Sequence, residues 1–250
     1  MLYAGVYVVL GKVAGYAGSL APLSFLIAGV LASLTAYSYS LLAPRFPKSG
    51  GEIVYAKEAT GSKRLSAFVG WGVIFTGFIS AAAILKGFVG YLDIFIELPD
   101  WIVISIMIIL LSLIAIWGIG ESMTVIGMIT LVEVAGLIFI ISAAGVSPLE
   151  IKDYFSESFV NAPDYDVLAV FQGAFLAFFA FVGFEDLANI AEEAKDPKKS
   201  MPIALLGGMI IALTLYILMT VITVHIDIVF KPIVENLFLD KSKTIESRKR

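Results

Sequence analysis

Four stretches of this chain contain no charged residue: Pro22 to Pro44, Leu65 to Leu85, Trp101 to Gly120 and Val167 to Phe184. Each approaches or exceeds the ~20 residues that a helix needs to cross a bilayer. A fifth stretch, Ser122 to Gly145, carries a single acid, Glu133, in its middle, and a further apolar run extends from Met201 to about Val224. In lipid every backbone N–H and C=O must find its partner inside the segment, so runs of this kind fold as helices and pack into a bundle. The fold class is therefore an all-α membrane protein. Charged residues make up 15% of the chain, against about 25% in ordinary soluble domains. Met1 to Gly11 is uncharged but only half a span long, and Lys12 after it reads as a lysine near a helix end whose amine snorkels to the interface. Gly11 and Gly15, four residues apart, form a small-residue pair that permits close helix contact. Ala28, Ala32 and Ala36 give the second span a smooth face of the same kind.

Residues 167–202 depart from the pattern. The run from Val167 holds six phenylalanines, reaches Gly183, and then places Glu185 and Asp186 before the span should end. By helical rise they come about 10 Å ahead of Glu192 and Glu193, which mark the water boundary. A break and two acids at membrane depth are tolerated only where protein or a polar cavity surrounds them. The stretch thus predicts a broken helix facing a cavity. Asp196-Pro197 should end its extension, with Ser200 as the N-cap of the next span. Between the second and third spans, EIVYAKEA lies among glycines and reads as a short interfacial helix.

Loop charge sets direction. Loops 45–64 and 191–200 hold five and three Lys or Arg, whereas loops 93–100 and 146–166 hold one between them. The basic loops belong on the cytoplasmic side, so the second, fourth and sixth spans run from outside to inside. Residues 226–250 carry six Lys or Arg on what this count makes the outer side. Either the seventh segment does not cross, or this polar tail is foreign to the rest.

Other function classes find little support. With no cysteine and one histidine, His225, the chain has no thiol nucleophile, no disulfide and no basis for a zinc site. A net charge of −4 with scattered lysines offers no face for nucleic acid. No nucleophile–base set is visible, so neither an enzyme nor a cofactor is expected.

Three segments, YAGVYVVLGKVAG, SYSLLAPRFPKSGGEIVYAKEATG and FFAFVGFEDLANIAEEAKDPKKSMPIAL, resemble in order and spacing the amino acid–polyamine–organocation superfamily of transporters, over roughly residues 2–224. The resemblance implies a five-plus-five inverted-repeat bundle like that of the leucine transporter, of which this chain holds about helices 1b to 7. Residues 1–225 would form the transmembrane domain, with a first repeat at 1–145 lacking part of helix one, the start of a second at 167–225, and a tail at 226–250. Truncation at both ends is expected on the same ground.

The resemblance also implies a permease of the cell membrane that moves an amino acid by alternating access, as a symporter or antiporter coupled to H+ or Na+. A non-transporting remnant, or one half of a split carrier completed by a second chain, is the alternative. Matched position by position, Tyr3, Ala4, Gly5 and Val6 correspond to the unwound segment of helix one that binds the substrate carboxylate. Phe179, Ala180, Phe181, Val182 and Gly183 correspond to the broken part of helix six, whose carbonyls receive the ammonium group. Glu133 reads either as a coupling group or as a structural acid hydrogen-bonded to its neighbours. Glu185, beyond the break, reads as a gating or structural contact ahead of a substrate ligand.

Overall fold

The computed structural model describes residues 4–145 and 166–247, with side chains described from residue 8 to 225 apart from a few positions. Nine α-helices occur among them: α1 (Ala4–Ala17), α2 (Ala21–Leu42), α3 (Gly51–Thr60), α4 (Lys63–Leu92), α5 (Asp100–Trp117), α6 (Ile119–Ala143), α7 (Val167–Phe181), α8 (Asp186–Asn189) and α9 (Pro197–Ser247). Six apolar helical runs are long enough to cross a membrane, the first of them joining α1 and α2. The chain is a multi-pass membrane protein.

Local chemistry places the helix ends. Pro22 occupies the first turn of α2, where its missing N–H costs nothing. Gly61, at a φ of 65°, ends α3 by donating its N–H to the Lys57 carbonyl at 2.8 Å. The Ser62 side chain caps α4 by accepting from the Leu65 amide, and Asp166 caps α7 by accepting from Leu168. The short helix expected between the second and third spans is present as α3.

Three expectations need correction. The first helix does not end near Lys12 but continues to Ala17, where a short 3-10 link, Gly18–Leu20, joins it to α2. Lys12 is exposed within the helix. Gly11 and Gly15 meet no neighbour, because the face of α1 that packs is the one carrying Val9, Val13 and Ala17. The last helix begins at Pro197 and not after Ser200. Proline fits the first position, and the Asp196 carbonyl accepts both the Ser200 amide at 2.9 Å and its hydroxyl at 2.8 Å.

The core lies among α1, α2, α7 and α9. Ala28, Ala32 and Ala36 are fully buried, as the four-residue repeat predicts. Gly29 lets α2 approach Leu213 of α9 and Phe181 of α7, and Gly173 lets α7 approach Ser24 and Ala17. Ser24, also buried, donates its hydroxyl to the Val170 carbonyl at 2.9 Å. With Ser24 at Val170 and Gly29 at Phe181, α2 and α7 run in the same direction, as loop charge predicts for the second and sixth spans. Phe25 against Tyr216 and Gly29 against Leu213 make α9 antiparallel to α2. The two basic loops meet at one end, where the Ser49 amide donates to Glu192 Oε2 at 2.9 Å. Outside the core, nearly all of α4, α5 and α6 is exposed apolar surface. The Lys86–Asp100 ion pair joins the end of α4 to the start of α5.

Candidate functional site

The helical run from Val167 stops at Phe181. Val182 is extended, with a ψ of 136°, and Gly183 takes a φ of 112° that only glycine adopts without strain. The chain then re-enters helix as the single turn of α8. Glu185 reaches back and accepts the Gly183 amide at 2.8 Å, supplying a partner to a group that the break takes out of the helical ladder. Tyr216 of α9 donates to the Ala180 carbonyl at 3.1 Å just before the break, and its ring packs at a tilt against Phe181 at a centroid distance of 5.1 Å. The interruption is held on both sides. Tyr216→Phe should leave the Ala180 carbonyl short of a donor and cost about 1 kcal/mol, the typical worth of an interhelical hydrogen bond in a membrane bundle. Thermal unfolding in detergent measures it, and an unchanged midpoint would show that the hydroxyl is not needed there.

The break opens onto a cavity of about 540 Å³ between α2, α3, α4 and α7. Phe178, Phe179, Val182, Gly183, Phe184, Glu185 and Asp186 line one side. Thr35 and Tyr39 of α2, Glu52 of α3 and a stripe of α4 that includes Gly72, Thr76 and Ser80 form the rest. Among the described residues the wall holds three carboxylates, Glu52, Glu185 and Asp186, and no Lys, Arg or His. Tyr39 donates to Glu52 Oε1 at 2.6 Å and packs edge-on against Phe184 and Tyr55. Burial pushes the Tyr55 phenol up from its ordinary value, and the Glu52 charge adds to this. The amide of Ser49 holds the Glu192 carboxyl below the usual carboxylate range, so that tie is intact at neutral pH.

The sequence-based site residues divide as follows. Phe179, Val182, Gly183 and Glu185 meet at the cavity. Ala180 and Phe181 are fully buried on the opposite face, toward α9. Ala4, Gly5 and Val6 form the first turn of α1, and Tyr3 lies outside the described residues. The nearest described side chain, Val8, rests on Gly87 of α4, one turn beyond Ile84 at the cavity wall. Glu133 is half-buried on α6 and does not line the cavity. Its neighbours Val134 and Leu137 pack into the core. Sequence reasoning overlooked Tyr39, Glu52 and the α4 stripe. The spacing of Gly72, Thr76 and Ser80, four residues apart in an apolar span, was the available signal.

A helix broken inside a bundle of apolar, span-length helices is an arrangement that recurs in secondary transporters. The family model described as amino acid permease matches residues 2–227, and the chain belongs to that family, within the amino acid–polyamine–organocation superfamily. It is 31% identical over 239 residues to cationic amino acid transporter 9, chloroplastic, of Arabidopsis thaliana, covering 86% of this chain and 41% of the relative. It is 30% identical over 243 residues to cationic amino acid transporter 4, vacuolar, of the same organism, covering 88% and 40%. With the branched-chain amino acid permease BcaP of Bacillus subtilis it shares 25% identity, covering 87% and 50%. The chain spans half or less of the length of these relatives. No solved structure matches it significantly.

Proposed function

We propose that this chain forms part of an amino acid permease that works by alternating access, with the amino acid held at the break in α7. The break at Val182–Gly183, opening onto the cavity, carries the proposal. A chain interrupted inside a bundle offers unpaired carbonyls to an ammonium group, and a helix start offers amides to a carboxylate. Phe179, Val182 and Gly183 would form the ammonium side, with Ala180 and Phe181 as its rigid backing. Tyr3, Ala4, Gly5 and Val6 would form the carboxylate side. Residues 1–145 would then constitute a first repeat, 167–225 the start of a second and 226–250 a tail. The missing helices would come from sequence beyond this chain or from a second polypeptide. Glu133 is proposed as the H+- or Na+-coupling acid and Glu185 as a gating residue, with the cell membrane as the site of action.

The wall with three carboxylates and no cation favours a positively charged substrate, in keeping with the relatives named cationic amino acid transporters. Binding of labelled arginine to the reconstituted chain tests this. Lysine should compete at far lower concentration than leucine. Equal competition would overturn the preference for a cationic side chain.

A further inference from the structure

We propose that α3 is a strap that closes the cavity at the end where the basic loops meet, and that it opens by swinging away from α2 and α8. This goes beyond the transport reading and does not depend on which solute the cavity takes.

The geometry separates a firm side from a light one. Toward α4 the strap is well seated: Ser66 donates its hydroxyl to the Ile53 carbonyl at 2.8 Å, and the Ile53 side chain rests on Gly70. Toward α2 and α8 it is held more lightly: Tyr39 donates to Glu52 and packs edge-on against Tyr55, the amide of Ser49, just ahead of α3, donates to Glu192, just beyond α8, and Gly51 fits beneath Ala188 and Asn189. Glu52 is the residue that α3 contributes to the cavity wall, so these ties decide whether that end is shut.

Both ends of the strap can turn. Gly50 and Gly51 at its start have φ values of 113° and 34°, and Gly61 at its end has 65°. Glycine crosses between such conformations at little steric cost, so a rigid helix of ten residues is slung between two pivots. The closed state also carries a built-in penalty. Glu52 Oε2 and the Tyr55 hydroxyl are buried without a hydrogen-bond partner among the described residues. Swinging α3 outward would let water reach both, which offsets part of the loss of the Tyr39–Glu52 bond. The arrangement is a catch that holds under light load.

The chain has no cysteine, so single cysteines report access cleanly. Ser80→Cys, on the α4 stripe inside the cavity, would be reacted with a membrane-impermeant maleimide applied from the α3 side of sided membranes. In the Tyr39→Phe/Glu192→Ala background, which removes two ties, labelling should accelerate roughly tenfold or more, consistent with losing hydrogen bonds to charged groups. Tyr55→Phe supplies a second test that removes no hydrogen bond and has the opposite sign. It deletes a hydroxyl that is buried without a partner among the described residues, so the closed state loses part of its penalty and labelling should slow. Leu205→Cys, buried in the core two turns into α9 on the same side, should stay protected in either background. Unchanged labelling of Ser80→Cys in both backgrounds overturns the proposal, as does a rise matched at Leu205→Cys, which would mean general loosening.

Discussion

Replacing Gly183 with alanine is expected to weaken amino acid binding by roughly 10- to 100-fold while leaving the chain folded. At a φ of 112° the residue sits where any Cβ is strained, at a cost of about 1–3 kcal/mol. The substituted chain relieves the strain by rotating this peptide. That movement takes the Gly183 amide away from Glu185 Oε2 and re-aims the carbonyls of the break. The helices on either side remain fixed, α7 by Tyr216 and Phe181 and α8 by Ala188 in the core. The loss should therefore fall on binding and not on assembly. Equilibrium binding and size-exclusion profiles, measured on the same preparation, separate the two. Normal affinity in a folded Gly183→Ala protein would show that the shape of the break does not matter to the ligand.

Gly173→Leu should have the opposite signature, loss of the folded bundle. A Cβ at this position would lie 2.7 Å from Ser24 Oγ and 3.2 Å from Ala17 Cβ. Both belong to short side chains on helix backbones that cannot yield, unlike the flexible tip of Leu213 opposite Gly29. Overpacking of this kind costs about 1–3 kcal/mol, and displacing Ser24 from the Val170 carbonyl adds about 1 kcal/mol more. Gly207→Leu provides the comparison, since nothing lies within 4 Å of a Cβ there. Thermal unfolding in detergent should show a large drop for Gly173→Leu and little change for Gly207→Leu. Equal behaviour of the two would contradict the packing described for α1, α2 and α7.

Much of this arrangement is legible in the sequence, for reasons that particular residues make plain. Charge-free runs mark the spans because lipid allows few alternatives to a helix. Gly183 followed by Glu185 and Asp186 marks the break, because an uninterrupted lipid-facing helix would not carry acids at that depth. Loop charge correctly puts α2 and α7 in the same direction. The failures concern which face of a helix meets which neighbour. Gly11 and Gly15 look like a packing motif, yet α1 turns its Val9–Val13–Ala17 face to the bundle. Phe179 and Phe181 look equivalent in sequence. Two residues apart on a helix they point in different directions, so one reaches the cavity and the other Tyr216. Tyr39 and Glu52 are 13 residues apart across a loop, and nothing local in the sequence announces their hydrogen bond.

The break in α7 is proposed to hold an amino acid in the adjoining cavity. Val182→Cys places a thiol at that point in a chain with no other cysteine. Its rate of reaction with a small maleimide, measured with and without saturating arginine, tests the claim directly. Arginine should slow the reaction several-fold while leaving Phe95→Cys, in the exposed turn after α4, unaffected. A Val182→Cys rate unchanged by arginine, lysine and leucine alike would contradict it.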